Sequence, residues 1–147
     1  MNLTNKQFIH EIKTLLYFAK NKAYQSINEI MTKTYFEIGK RIEKEEQKGK
    51  NRADYGKELL KNLSFELTQE FGKGFSVANL ENMRQFYKTF KNRQAVSSEF
   101  KLSYSHYIFL SRIKNDEERD FYEIKAVKNG WSLRELKNLL DNKNGEK

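Results

Sequence analysis

The 147-residue chain contains no cysteine and no proline. Without cysteine there is no disulfide scaffold, no thiolate zinc site and no thiol nucleophile. Without proline, where average usage of about 5% would supply roughly seven residues, the strongest helix breaker is missing. The two histidines, His10 and His106, lie far apart in sequence, so no histidine-rich metal site is expected. No apolar run approaches the roughly 20 residues that span a bilayer. The N-terminus, MNLTNKQFIHEIK, lacks the charged-then-apolar layout of a signal peptide. The expectation is a soluble, cytoplasmic protein with no membrane partner, no metal and no cofactor.

What is present argues against disorder: 11 Phe and 8 Tyr are far too many for a solvated tail. With 28 Lys+Arg against 20 Asp+Glu the formal charge is +8. Lysine supplies 21 of those 28 cations, and such lysine usage alone can follow from genome composition. The distribution says more. Residues 1–50 carry a net +4 and residues 101–147 a net +2. From Phe71 to Lys114 eight cations face only Glu81 and Glu99, a net of +6. The positive charge is concentrated in the middle of the chain.

Apolar spacing is three and four almost throughout, and strand alternation is nowhere sustained, so the fold class is all-α. From about Thr4 to Gln47, Phe8, Ile12, Leu15, Leu16 and Ala19 mark one face, and Ala23, Ile27, Ile30, Met31, Tyr35, Ile38 and Ile42 continue it. Thr4 and Gln7 fit a capping box. One helix of some 65 Å or two stacked helices would satisfy the pattern. A single helix that long exceeds what the remaining residues can cover, which calls for a partner chain, or a second domain, along part of it. Further helices are predicted from about Ala53 to Phe71, from Ser76 (an N-cap) to Phe90, and around 103–113, 116–128 and 132–140. Asn115 with Glu118 and Ser132 with Glu135 fit caps, and the last residues, DNKNGEK, read as frayed. Lys91–Lys101 reads as a basic loop. The organisation expected is a helical arm over 1–50 and a helix-turn-helix domain with a C-terminal helical support over 51–147.

The stretch LTQEFGKGFSVANLENMRQFYKTF has the layout of a helix-turn-helix, its first helix ending at Gly72. The second helix presents Ser76, Asn79, Asn82 and Gln85 on the side away from Leu80, Met83 and Tyr87. Short polar side chains near a helix start suit base edges or phosphates. Asn and Gln pair bidentately with adenine, and Arg84 suits guanine or phosphate. Lys73, Lys88, Lys91 and Arg93 would add backbone contacts. An ordinary helical hairpin with a solvated polar face carries the same pattern.

Nucleases often hold Mg²⁺ through a Glu-x-Lys pair behind an upstream Asp. The chain has five such pairs, at Glu11, Glu46, Glu99, Glu123 and Glu135, against about two expected by chance from 16 Glu and 21 Lys. Four lie on predicted helices and none in a strand, so all read as solvated charge and none as catalytic. His106 is expected to pack or cap locally. Gly72 and Gly74 form no nucleotide-binding loop. Trp131, Phe86, Tyr87 and Phe90 read as core.

Several runs resemble the N-terminal domain of the YhcG-type family of bacterial proteins. They are Tyr35/Ile38/Gly39, Ala53-Asp54-Tyr55-Gly56-Lys57, Phe71-Gly72-Lys73-Gly74-Phe75-Ser76, Asn79-Leu80, Met83-Arg84-Gln85-Phe86-Tyr87, Leu102-Ser103 with Ser105-His106-Tyr107, and Trp131-Ser132-Leu133-Arg134-Glu135-Leu136. Together they cover almost the whole chain. In that family the domain precedes a PDDEXK-type nuclease domain, and members are often associated with restriction-modification and mobile-element loci. The resemblance implies a DNA-binding helix-turn-helix domain without the nuclease part, and no catalytic residue transfers. The order FGKGFS, helix, Leu102-Ser103-x-x-His106, then Ser132-x-Arg134-Glu135 is also similar to the DNA-binding core of ParB-type partition proteins. That places Ser76–Lys88 in the recognition-helix role, although the loop Lys91–Lys101 is longer here. The expected partners are double-stranded DNA, a C-terminal or partner nuclease domain, and a second copy through the N-terminal helix. The alternative is an assembly module of a restriction or defence complex.

Overall fold

Forty-six consecutive residues, interrupted by neither proline nor any glycine but Gly39, form one helix, α1 (Leu3–Lys48). At 1.5 Å per residue it is about 69 Å long, and it passes through Lys20-Asn21-Lys22 without a break, so the two-helix alternative does not hold. The computed structural model describes residues 3–52, 54–92 and 100–145, with backbone alone at 3–5, 144 and 145. The Thr4 side chain of the expected Thr4–Gln7 capping box, and Arg93 and most of the basic loop, lie outside what is described. After a turn come α2 (Tyr55–Phe71), α3 (Val77–Phe90), α4 (Tyr104–Leu110), α5 (Asp116–Asn129) and α6 (Leu133–Gly145). No strand occurs among the described residues, and the class is all-α.

The helix starts follow the cap chemistry of the sequence. Ser76 Oγ accepts the Asn79 N–H at 3.1 Å and Ser103 Oγ accepts the His106 N–H at 3.2 Å. Asn115 Oδ1 accepts the Glu118 N–H at 2.8 Å. Ser132 and Glu135 form a reciprocal box, the serine accepting the Glu135 N–H at 3.1 Å and its hydroxyl donating to the glutamate at 3.1 Å. Each such cap contributes about 1 kcal/mol. Two helix ends differ from expectation. α4 stops at Leu110 rather than 113 because the Arg112 and Ile113 N–H groups bond only three residues back, to Phe109 and Leu110, tightening the last turn. α6 runs on to Gly145, into the tail expected to fray, where Leu140 is buried and Lys143 donates to Glu118 of α5 at 3.1 Å.

α3 is the centre of the molecule. Its Leu80 and Met83 join Ile42 of α1 and Leu60 of α2 in one buried cluster. Its Phe86 and Phe90 join Phe100, Tyr107, Leu110, Tyr122, Leu136 and Leu140 in a second. The ring of Phe36 reaches from α1 to within 5.4 Å of Phe86 and 5.0 Å of Phe100, centroid to centroid. At the α1–α3 crossing sits Gly39: a Cβ there would lie 2.1 Å from the Met83 carbonyl oxygen. Only a residue without a Cβ lets the two backbones approach so closely. α1 therefore divides in two: from Met31 onward it is built into the body, and residues 6–30 are exposed throughout.

Candidate nucleic-acid interface

Burying Leu80, Met83, Phe86 and Phe90 leaves α3 a narrow outward stripe of Ala78, Glu81, Asn82, Gln85 and Lys88. The turn before it relies on Gly72 and Gly74, whose φ angles of +81° and +108° strain any residue with a side chain. Lys73 between them is exposed.

The first turn of α3 is committed internally. The Ser76 hydroxyl caps the helix, as above. The Asn79 amide donates to the Gly74 carbonyl and its Oδ1 accepts the Tyr104 hydroxyl at 3.1 Å. Burial, with the Tyr35 ring 4.5 Å away, pushes the Tyr104 phenol above its usual range, so it remains a donor to Asn79 at every ordinary pH.

Two of the expected cations face α1. Arg84 Nη1 donates to Glu46 Oε2 in a half-buried pair. Lys88 Nζ lies 3.8 Å from Glu43 Oε2. Both acidic partners lie some forty residues upstream, beyond what local spacing reveals. Lys91 is exposed at the end of α3, its ammonium 5.9 Å from the Tyr87 ring centroid. Asn82 and Gln85 are exposed, Gln85 donating to Thr89 Oγ1 at 3.0 Å.

The structure adds residues that sequence reasoning did not single out. A cleft of about 240 Å³ beside Asn79 and Asn82 is bordered by Ser105, Arg112 and Lys137, from α4, its following turn and α6. On the other side of the stripe, Gln85 and Lys88 open onto a groove of about 1140 Å³ along α5. That groove is lined by Lys88, Lys101, Lys114 and Lys128 against Asp120 and Glu123, with Arg119 bonded to Asp116 at 2.8 Å. The stripe thus lies between two cation-lined depressions. Glu81 is the one acid within the stripe. The net charge of the middle segment was the only sequence signal for Arg112 and Lys114, and none marked Lys137 or Lys128.

The Glu-x-Lys pairs separate by environment. Glu123 is buried and accepts the Tyr107 hydroxyl at 2.9 Å, while Tyr107 accepts the Lys101 N–H at 3.2 Å. Glu46 pairs with Arg84, and Glu135 caps α6. Glu123 and Glu46 are therefore structural ion or hydrogen-bond partners rather than the solvated charges expected from sequence. Both nitrogens of His106 are bonded, Nε2 donating to the Trp131 carbonyl at 2.9 Å and Nδ1 meeting Ser103 Oγ at 2.6 Å. That ties Trp131, half-buried against the core, to α4. Among the described residues no three His, Asp or Glu side chains converge as a metal site. Nor is any described helix long and apolar enough to cross a membrane.

Comparison with known proteins gives two matches. The profile described as "DUF1016 N-terminal domain" matches residues 11–147. A protein of Escherichia coli (strain K12) named "Putative nuclease YhcG" is 36% identical over 165 residues, taking in 91% of this chain. The chain spans 44% of that relative's length, less than half. No solved structure matches.

Proposed function

Because this chain belongs to the DUF1016 N-terminal domain family, we propose that it is the non-catalytic, DNA-binding part of a nuclease-type protein, delivering an attached or partner nuclease to double-stranded DNA. The observation that carries this is the outward stripe of α3 set between two basic depressions. A helix edge of this kind fits a major groove when cations on either side reach the phosphates. Asn82 and Gln85 stand where base edges would be, and the carboxamides of both suit adenine. Arg112 and Lys137 border one side, Lys114 and Lys128 the other. Arg84, paired with Glu46, positions α3 on α1 in this reading.

The test is fluorescence anisotropy on two unrelated duplexes. Arg112→Ala combined with Lys137→Ala should weaken both alike, by about tenfold or more, since phosphate contacts carry no sequence information. Asn82→Ala should change the ratio between duplexes. A double variant that binds both as tightly as the wild type would remove α3's basic border as the DNA-contacting surface.

A further inference from the structure

The exposed first half of α1 carries ten large hydrophobic side chains, and six of them, Phe8, Ile12, Leu15, Leu16, Ile27 and Ile30, each between 42% and 65% exposed, fall on one side of the helix. With the exposed Ala19 and Ala23 between them, the spacing of three and four makes one stripe along the helix, the pattern of a coiled-coil seam. It does not continue the face that α1 buries. That face is Thr32, Tyr35, Gly39 and Ile42, and seven-residue steps back from Thr32 and Tyr35 land on Gln25, Phe18, Asn28 and Asn21, none of them in the stripe and only Phe18 apolar. The six-residue stripe therefore runs along a different side of the helix from the face that packs on the body, with Tyr17, Phe18 and Tyr24 outside it.

We propose that this stripe is a self-association surface, the arms of two copies of the chain lying against each other about a two-fold axis. The area supports a second copy. At roughly 100 Å² exposed per large side chain, the stripe offers on the order of 700 Å² per chain, against about 800 Å² per partner in a standard stable interface. A typical monomer's largest apolar patch is about 300–600 Å². The stripe holds no charged residue, so it is self-complementary: apolar meets apolar under two-fold symmetry. Its flanks mix signs, with Lys13 and Lys20 on one side and Glu11, Lys22 and Glu29 on the other. Such a border selects neither an anionic lipid surface nor a partner of one charge. Whether or not the chain binds DNA, pairing would join two α3 stripes in one particle.

Sedimentation equilibrium of the 147-residue chain from about 1 to about 100 µM tests this. The mass should rise with concentration from 17.6 kDa towards twice that value. Leu16→Glu with Ile27→Glu should raise the dissociation constant at least about a hundredfold. Both positions are more than half exposed in the single chain, so the thermal midpoint of the diluted protein should not fall. A wild type that stays at 17.6 kDa throughout would overturn the proposal and leave the stripe to a partner of different sequence. A charge variant that associates as tightly as the wild type would overturn it as well.

Discussion

Gly39→Ala asks whether the α1–α3 crossing holds the body together. In an open helix this change stabilises by about 1 kcal/mol, because alanine is the better helix former. Here the new Cβ would lie 2.1 Å from the Met83 carbonyl oxygen, 2.7 Å from its carbon and 3.1 Å from Tyr87 Cβ. The nearest obstacles are backbone, which no rotamer change relieves. Ordinary carbon–oxygen contact begins near 3.3 Å, so the helices must part by about 1 Å. A gap of that size forfeits roughly a quarter to a half of the dispersion energy of each pair across the contact. The contact involves Phe36 and Ile42 on one side and Leu80, Met83 and Phe86 on the other. Overpacking costs of about 1–3 kcal/mol are usual. With the clash against backbone, the upper end applies, and the propensity gain leaves a net loss of about 2 kcal/mol. Urea unfolding followed by circular dichroism should show it, with a thermal midpoint lower by about 4–8 °C. Gly56→Ala is the control: its Cβ would meet only the end of the Glu46 side chain, at 3.0 Å, and it should change stability by less than about 1 kcal/mol. A Gly39→Ala protein as stable as the wild type would refute the close crossing.

Tyr104 makes stability fall at alkaline pH. Its folded pKa is raised, mainly by burial, above the unfolded value near 10, so the native state keeps a proton that the unfolded chain loses. Its contribution is complete below that value and is lost as pH rises beyond it. Tyr104→Phe should flatten this limb while costing about 1 kcal/mol at neutral pH through the lost bond to Asn79. Equal alkaline slopes in the two proteins would contradict this. Glu46→Gln should destabilise by about 1–2 kcal/mol, since the half-buried Arg84 then lacks its counter-charge. The loss should vanish in an Arg84→Met background, and additive losses in a double-mutant cycle would show that the pair is not coupled.

The helix starts were legible because a cap is local chemistry: Ser76, Asn115 and Ser132 each bond within three residues of themselves. The helicity of the first segment was legible because nothing in Leu3–Lys48 opposes a helix, and its surplus apolar face was visible in the same spacing; its continuity through Lys20-Asn21-Lys22 was not, since two stacked helices fit the same pattern. Other features depend on partners far off in sequence. That Arg84 and Lys88 stand beside Glu46 and Glu43 was not legible, because those acids lie on α1, some forty residues upstream. Asn79 reads as a free carboxamide until Tyr104, 25 residues later, bonds it. Glu123 carries a solvated-looking motif and is buried under Tyr107. Lys137 reaches the Asn82 side of α3 only because α6 packs back across the body.

The most direct test of the DNA reading is the affinity of the wild-type chain for a labelled random duplex of about 30 base pairs, between about 50 and 300 mM salt. If Arg112, Lys114, Lys128 and Lys137 meet phosphates, about four counterions are released, and affinity should fall by close to three orders of magnitude across that range. No binding at the lowest salt, or binding indifferent to salt, would contradict it.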